Sequence, residues 1–228
     1  MNAITSASPL SVPVEPAMAT ATSSCRRTTV TILMCDIVNS TRLSTRLPVE
    51  TFRSLLLSYY AVCNGIVSRH NGMTVRYIGD GIMNVFGEPY TNGGTAFDAV
   101  RAGVHAANEK FEFDGEPYEV RMSAATGEVA VGTRIGSGPA LQEAVFGIAP
   151  YVAARMQKLA TPGSLVVDRR THAEISAHFR TENLGQHQLR GFTQRQRIWK
   201  VISLKGIEQN SSSHELANGT GPESTCQV

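Results

Sequence analysis

Two aspartates stand out from their surroundings. Asp36 closes the apolar run Thr28–Ile37, and Asp80 sits in Gly79-Asp80-Gly81 between two further apolar stretches. An ionised carboxylate among Leu33, Met34, Cys35 and Ile37 is costly unless it is paired or coordinates a cation. Each residue also has a plainer role open to it. Asp36 can cap the next helix, and Asp80 can be a turn residue. Taken together the two predict more, because Mg²⁺ typically takes one or two carboxylates plus substrate phosphates. Two aspartates at the ends of neighbouring strands therefore suit metal-assisted phosphoryl chemistry. Residues 37–41 run from a strand into a helix start, where the free backbone N–H groups of Asn39, Ser40 and Thr41 favour phosphate. No P-loop competes for this role: no GxxxxGK precedes a Ser or Thr, and the glycine-rich stretch Gly132–Gly138 has no Lys after it to reach a phosphate.

The elements that must position these groups follow from periodicity. Thr28–Ile37 is β-branched and of strand length. Val49–His70 follows Pro48 with Phe52, Leu55, Leu56, Tyr59, Val62 and Val67 at helical spacing, and Asn71-Gly72 ends it. Met73–Ile78 and Ile82–Phe86 flank Gly-Asp-Gly as a tight hairpin. Thr95–Lys110 is a second amphipathic helix. Tyr118–Thr126 and Glu128–Gly132 read as a strand pair around Gly127, with a short strand near Ala144–Phe146. The remaining elements are a helix Ala149–Leu159, a strand Ser164–Asp168, a helix His172–Phe179 and a closing pair Leu184–Leu189 with Gln196–Leu204. Hairpins mixed with crossover helices predict an α+β sandwich of helices on an antiparallel-rich sheet. Residues 1–26 and 206–228, rich in Ser, Thr, Pro and Gly, read as disordered, leaving one domain over 27–205.

Composition removes several classes. A formal charge of +2 with no basic cluster argues against nucleic-acid binding. No apolar run approaches the roughly 20 residues that span a bilayer, and the N-terminus has no secretory h-region, so a cytoplasmic protein is expected. Cys25, Cys35, Cys63 and Cys226 form no CxxC pair and read as free thiols, and the six histidines have no zinc spacing.

Six ordered segments resemble the class III adenylyl/guanylyl cyclase catalytic domain: LMCDIVNST (33–41), VRYIGDGIMNVFG (75–87), AFDAVRAGVHAA (96–107), AATGEVAVG (124–132), VFGIAPYVAARM (145–156) and LRGFTQRQRIWKV (189–201). The resemblance covers about residues 28–204. It implies a ferredoxin-like α+β class III cyclase sandwich, with a mixed, mainly antiparallel sheet covered by helices, working as a head-to-tail homodimer with active sites at the interface. In that family Asp36, the Ile37 carbonyl and Asp80 would hold two divalent ions, Mg²⁺ or Mn²⁺, and Arg155 of the partner would stabilise the transition state.

Three substrate-reading positions depart from the purine cyclases. The usual lysine four residues before the second metal aspartate is Arg76. The Asp, Thr or Cys three residues before Gly147 is Ala144. The ribose-orienting asparagine is Tyr151. Adenine's exocyclic amine needs an acceptor, which Ala144 cannot supply, whereas the donor-only Arg76 suits the carbonyl oxygens of uracil. Tyr151 adds bulk suited to a smaller ring. This pattern resembles the stand-alone pyrimidine cyclases of bacterial Pycsar antiphage defence, which implies UTP, then CTP, as substrate and a separate effector activated by the cyclic product. ATP remains the alternative substrate. An inactive cyclase-like dimerisation or regulatory domain is the alternative of another class, opposed by the retained Asp36, Asp80 and Arg155. A diguanylate cyclase would need a Gly-Gly-(Asp/Glu)-Glu-Phe turn where this chain reads Ile78-Gly79-Asp80-Gly81-Ile82.

Overall fold

A computed structural model describes residues 26–135 and 142–206. The segments expected to be disordered lie outside the described residues, apart from Arg26 and Gly206 at their edges. Strand β1 (Arg26–Ile37) leads through α1 (Ser40–Arg46) and α2 (Val49–Arg69) to the hairpin β2 (Met73–Ile78) and β3 (Gly81–Phe86). Helix α3 (Ala96–Asn108) and the small hairpin β4 (Glu112–Phe113) and β5 (Glu116–Pro117) precede the long β6 (Val120–Ile135). Then come β7 (Gln142–Gly147), α4 (Ile148–Met156), β8 (Ser164–Asp168), α5 (Arg169–Ile175), β9 (Phe179–His187) and β10 (Gln196–Leu204). The main sheet runs β2-β3-β1-β6-β8-β10-β9, with β7 paired to β6. Every pairing is antiparallel except β6 with β8. The unit β1-α2-β2-β3-α3-β6 is the split βαβ arrangement of ferredoxin-like folds.

Strand β1 is apolar throughout because both its faces are covered. Leu33, Cys35 and Ile37 enter the core under α2 and α3, while Val30, Ile32 and Met34 enter a second core under α4. Successive strand residues alternate faces, so Asp36 continues the α4-side row at the end of the strand. Helix α3 starts at a capping box between Thr95 and Asp98. It lies close to the sheet through Ala99, Ala102, Gly103 and Ala106, with Val100 buried and Phe97 and Val104 only partly buried. Gly103 permits this approach, since a Cβ there would lie 2.8 Å from Leu165 Cδ2.

Three sequence expectations are corrected. No turn occurs at Gly127: β6 runs straight through it, opposite Val30. Gly127 instead makes room for α4, because a Cβ would sit 3.0 Å from that of Ala149. Helix α5 begins at Arg169 rather than His172, since the Asp168 side chain accepts from the Arg170 and Thr171 amides and caps it there. Strand β9 correspondingly starts at Phe179, which anchors in the core, rather than at Leu184. Cys35 and Cys63 are buried free thiols, and Cys25 and Cys226 lie outside the described residues. No described helix is long and apolar enough to cross a membrane.

Candidate active site

The end of β1 and the β2–β3 turn meet. Asp80 Oδ2 accepts a hydrogen bond from the Ile37 amide at 3.3 Å, and the Asp36 and Asp80 carboxyl groups lie within hydrogen-bonding reach of each other. Asp36 does not cap the following helix. That position belongs to Asn39, in the left-handed region at φ 57° and with no side-chain cap. Asp80 occupies the second place of a two-residue turn, and Gly79 before it takes φ +61°, a conformation that favours glycine.

A residue that sequence reasoning passed over completes this corner. Arg121 stands directly opposite Asp36 in the β1–β6 register. Its Nε and Nη2 donate to Asp36 Oδ2 at 2.9 and 2.6 Å. The signal was present in the sequence, as a lone cation entering the apolar run Val120–Ala125. Asp36 is pushed from 3.8 up to about 6, chiefly by desolvation and next by the hydrogen bond and charge of Asp80, which outweigh the lowering by Arg121. Beside this pair opens a cleft of about 520 Å³, lined by Ile37, Asn39, Ser40, Thr41, Arg42, Thr45 and Arg121.

This corner fits divalent cations. Desolvation and the neighbouring Asp80 disfavour the charge on Asp36, which a cation would relieve. Among the described residues no group of three or more His, Cys, Asp and Glu forms a closed metal cage. Two carboxylates at the edge of a cleft whose lining includes Ile37 and Arg121 suit an ion that keeps positions for phosphate and water.

The remaining candidate residues gather elsewhere. A bulge between Thr74 and Arg76 sets Arg76 opposite Met83, on the α4 face of the sheet, whereas Tyr77 falls opposite Ile82 on the α2 face. Without that extra residue Arg76 would point to the other side. Arg76 Nε is buried with no hydrogen-bond partner among the described residues. Strand β2 touches β7, which carries the buried Ala144. On α4, Ile148, Tyr151 and Arg155 form one outward stripe, with Tyr151 65% exposed. Among the described residues none of Arg76, Tyr151 or Arg155 hydrogen-bonds or ion-pairs with Asp36 or Asp80. One chain thus carries an acidic corner beside a cleft and a separate set of outward-facing side chains.

A fold and a corner of this kind define a class. The sequence matches the family described as adenylate and guanylate cyclase catalytic domain over residues 23–203. The chain belongs to that family, and its mixed, mainly antiparallel sheet with helices is the class III cyclase fold. The guanylyl cyclase Cya2 superposes with a TM-score of 0.73 at 25% identity, over 81% of this chain and 97% of that one. The adenylyl cyclase CyaB of P. aeruginosa superposes with a TM-score of 0.68 at 24% identity, over 78% and 96%. Among curated relatives, a putative adenylate cyclase 3 of Rhizobium meliloti is 27% identical over 77% of this chain and 28% of its own length. The chain spans about a fifth to a third of the length of the first curated relatives it matches.

Proposed function

We propose that this chain is a nucleotide cyclase, closing a nucleoside triphosphate into its 3′,5′-cyclic monophosphate with release of pyrophosphate. The observation that carries the reading is the meeting of Asp36 and Asp80 beside the Arg121 cleft, on a fold of this family. In the reaction the ribose 3′-oxygen bonds to the α-phosphorus, the bond from that phosphorus to the β-phosphate bridging oxygen breaks, and the hydroxyl proton passes to solvent. Asp36 and Asp80, with the Ile37 carbonyl, would hold two Mg²⁺ or Mn²⁺ ions. Bound there, divalent ions would acidify the 3′-hydroxyl and neutralise the triphosphate. Asn39, Ser40 and Thr41 would receive phosphate oxygens along the cleft. Arg121, released as the Asp36 carboxylate turns to a cation, would pair with the same phosphates.

Completion of the site requires a second copy. Arg155 and Tyr151 point outward, and Phe146 and Ile148 beside them expose half or more of their surface, as does Ile78 on the metal hairpin. A head-to-tail homodimer would cover these apolar side chains and bring Arg155 of one subunit to the aspartates of the other. There it would stabilise charge on the transferring phosphate.

For the base we favour uracil. The orphaned Arg76 donor and the acceptor-less Ala144 suit a carbonyl-rich ring, and an amine left unpaired there would cost about 1–3 kcal/mol. The reading extends to cyclic UMP as a cytoplasmic second messenger acting on a separate effector in antiphage defence, supported by the same three altered positions. ATP is the second reading, favoured by relatives bearing the name adenylate cyclase. Incubation of the purified protein with each of the four NTPs and Mn²⁺ tests both. UTP is expected to give most product, and Asp36→Ala or Asp80→Ala to abolish it. Turnover of ATP alone discards the pyrimidine reading, and turnover of none discards the cyclase.

A further inference from the structure

The turn that carries Asp80 is held from behind by α2. Tyr60 of α2 donates its hydroxyl to the carbonyl of Gly79, the residue immediately before Asp80. One helical turn later, Asn64 Nδ2 donates to the Tyr77 hydroxyl at 2.5 Å, and Thr74 Oγ1 lies 2.8 Å from Asn64 Oδ1 and 2.6 Å from Asn84 Oδ1. Asn84 in turn donates to the Leu33 carbonyl of β1 at 3.1 Å. The Tyr60 and Tyr77 rings pack at 4.5 Å between centroids. A continuous polar chain therefore runs from α2 through both strands of the hairpin to β1, the strand that carries Asp36.

Hydrophobic packing alone gives no reason for this chain. The α2 face is already anchored by Leu55, Tyr59, Cys63, Ile66 and Val67. Gly79 has a positive φ, and nothing among the described residues lies within 4 Å of the place a Cβ would take, so apart from the Ile78–Gly81 pairing and the Ile37 amide on the Asp80 carboxylate the Tyr60 hydroxyl is what holds the peptide before Asp80. An exposed two-residue turn samples several orientations unless something fixes it, and a carboxylate must be fixed within about 0.5 Å to hold an ion well. The Tyr60 hydroxyl acts on the peptide that sets the direction of the Asp80 side chain.

We infer that Tyr60, backed by Asn64, is a positioning residue that fixes the Asp80 turn for cation binding. The inference rests on reading Asp80 as a metal ligand. It concerns α2 rather than the active-site surface, so α2 is also the element through which displacement of the helix would reach the metal corner.

Titration of the nucleotide-free protein with Mn²⁺, followed by the electron paramagnetic resonance of the free aquo ion, tests this without turnover. Tyr60→Phe keeps the ring packing and removes one hydrogen bond. It is expected to weaken Mn²⁺ binding about three- to tenfold. Its melting temperature should stay within a few degrees of wild type, and the Mn²⁺ concentration for half-maximal activity should rise in step. A hydroxyl with a merely structural role would lower the melting temperature and leave Mn²⁺ binding alone, and that result overturns the inference. So does a wild-type protein that takes up no Mn²⁺. A wild type that binds Mn²⁺ yet turns over no NTP removes the cyclase reading, while the titration still decides the role of Tyr60.

Discussion

Replacing Asp36 by Asn should stabilise the protein without metal and cripple its response to metal. The variant keeps the shape of the side chain and an acceptor for Arg121, and removes only the charge. With Asp36 pushed up to about 6, the folded protein at pH 7.5 carries that charge where it is disfavoured. The whole shift corresponds to about 3 kcal/mol. The side chain is 18% exposed beside an open cleft, and screening reduces the figure to about 1–2 kcal/mol. In a domain of this size that is roughly 2–8 °C in Tm. Mn²⁺ at a hundred times its Kd adds about 2.7 kcal/mol to the wild type, a gain the variant should largely lack. Thermal melts with chelator and with Mn²⁺ should therefore reverse the order of the two proteins. The pH dependence has a definite sign. A carboxyl whose pKa is raised on folding disfavours the fold above that value, so the wild-type deficit is full above about pH 6 and closes between pH 6 and 4 as Asp36 takes up its proton. A variant that melts below wild type in chelator at pH 7.5 would mean that the Arg121 ion pair outweighs desolvation and Asp80, and the reasoning would be wrong.

Three further outcomes test the site. Asp36→Ala and Arg155→Ala should each be inactive alone, yet a 1:1 mixture should recover about a quarter of wild-type turnover, because half the dimers then hold one intact interface site; no recovery on mixing refutes the shared site. Arg121→Ala should raise KM for the triphosphate about tenfold or more with a smaller change in kcat, as expected for a lost charge-assisted phosphate contact; steady-state kinetics at saturating Mn²⁺ reads this. Arg76→Lys combined with Ala144→Asp should raise purine over pyrimidine turnover about ten- to a hundredfold, measured as the ratio of cyclic products from mixed NTPs, and an unmoved ratio places base selection elsewhere in the pocket.

Much of the architecture was legible because it rests on local chemistry. Periodicity alone located α2, the β2–β3 hairpin and β8 to within a residue or two. Failures came where a residue's reason is tertiary. Gly127 resembles a turn glycine, but it is small because α4 packs on it. Asp168 closes a strand and also caps α5, a double duty that a linear reading assigns to one element only.

For the site, sequence by itself determined the acidic residues, the glycine that permits the Asp80 turn, and the family to which the ordered motifs belong. It could do so because a carboxylate among apolar neighbours and a glycine in a two-residue turn are each marked by residue type alone. Only tertiary structure decided which groups face one another. Pairing of β1 with β6 sets Arg121 against Asp36 across 85 positions of chain, and one extra residue in β2 sends Arg76 to the face opposite Tyr77. Register and bulges depend on hydrogen bonds between distant strands, and no run of side chains read along one strand reports them.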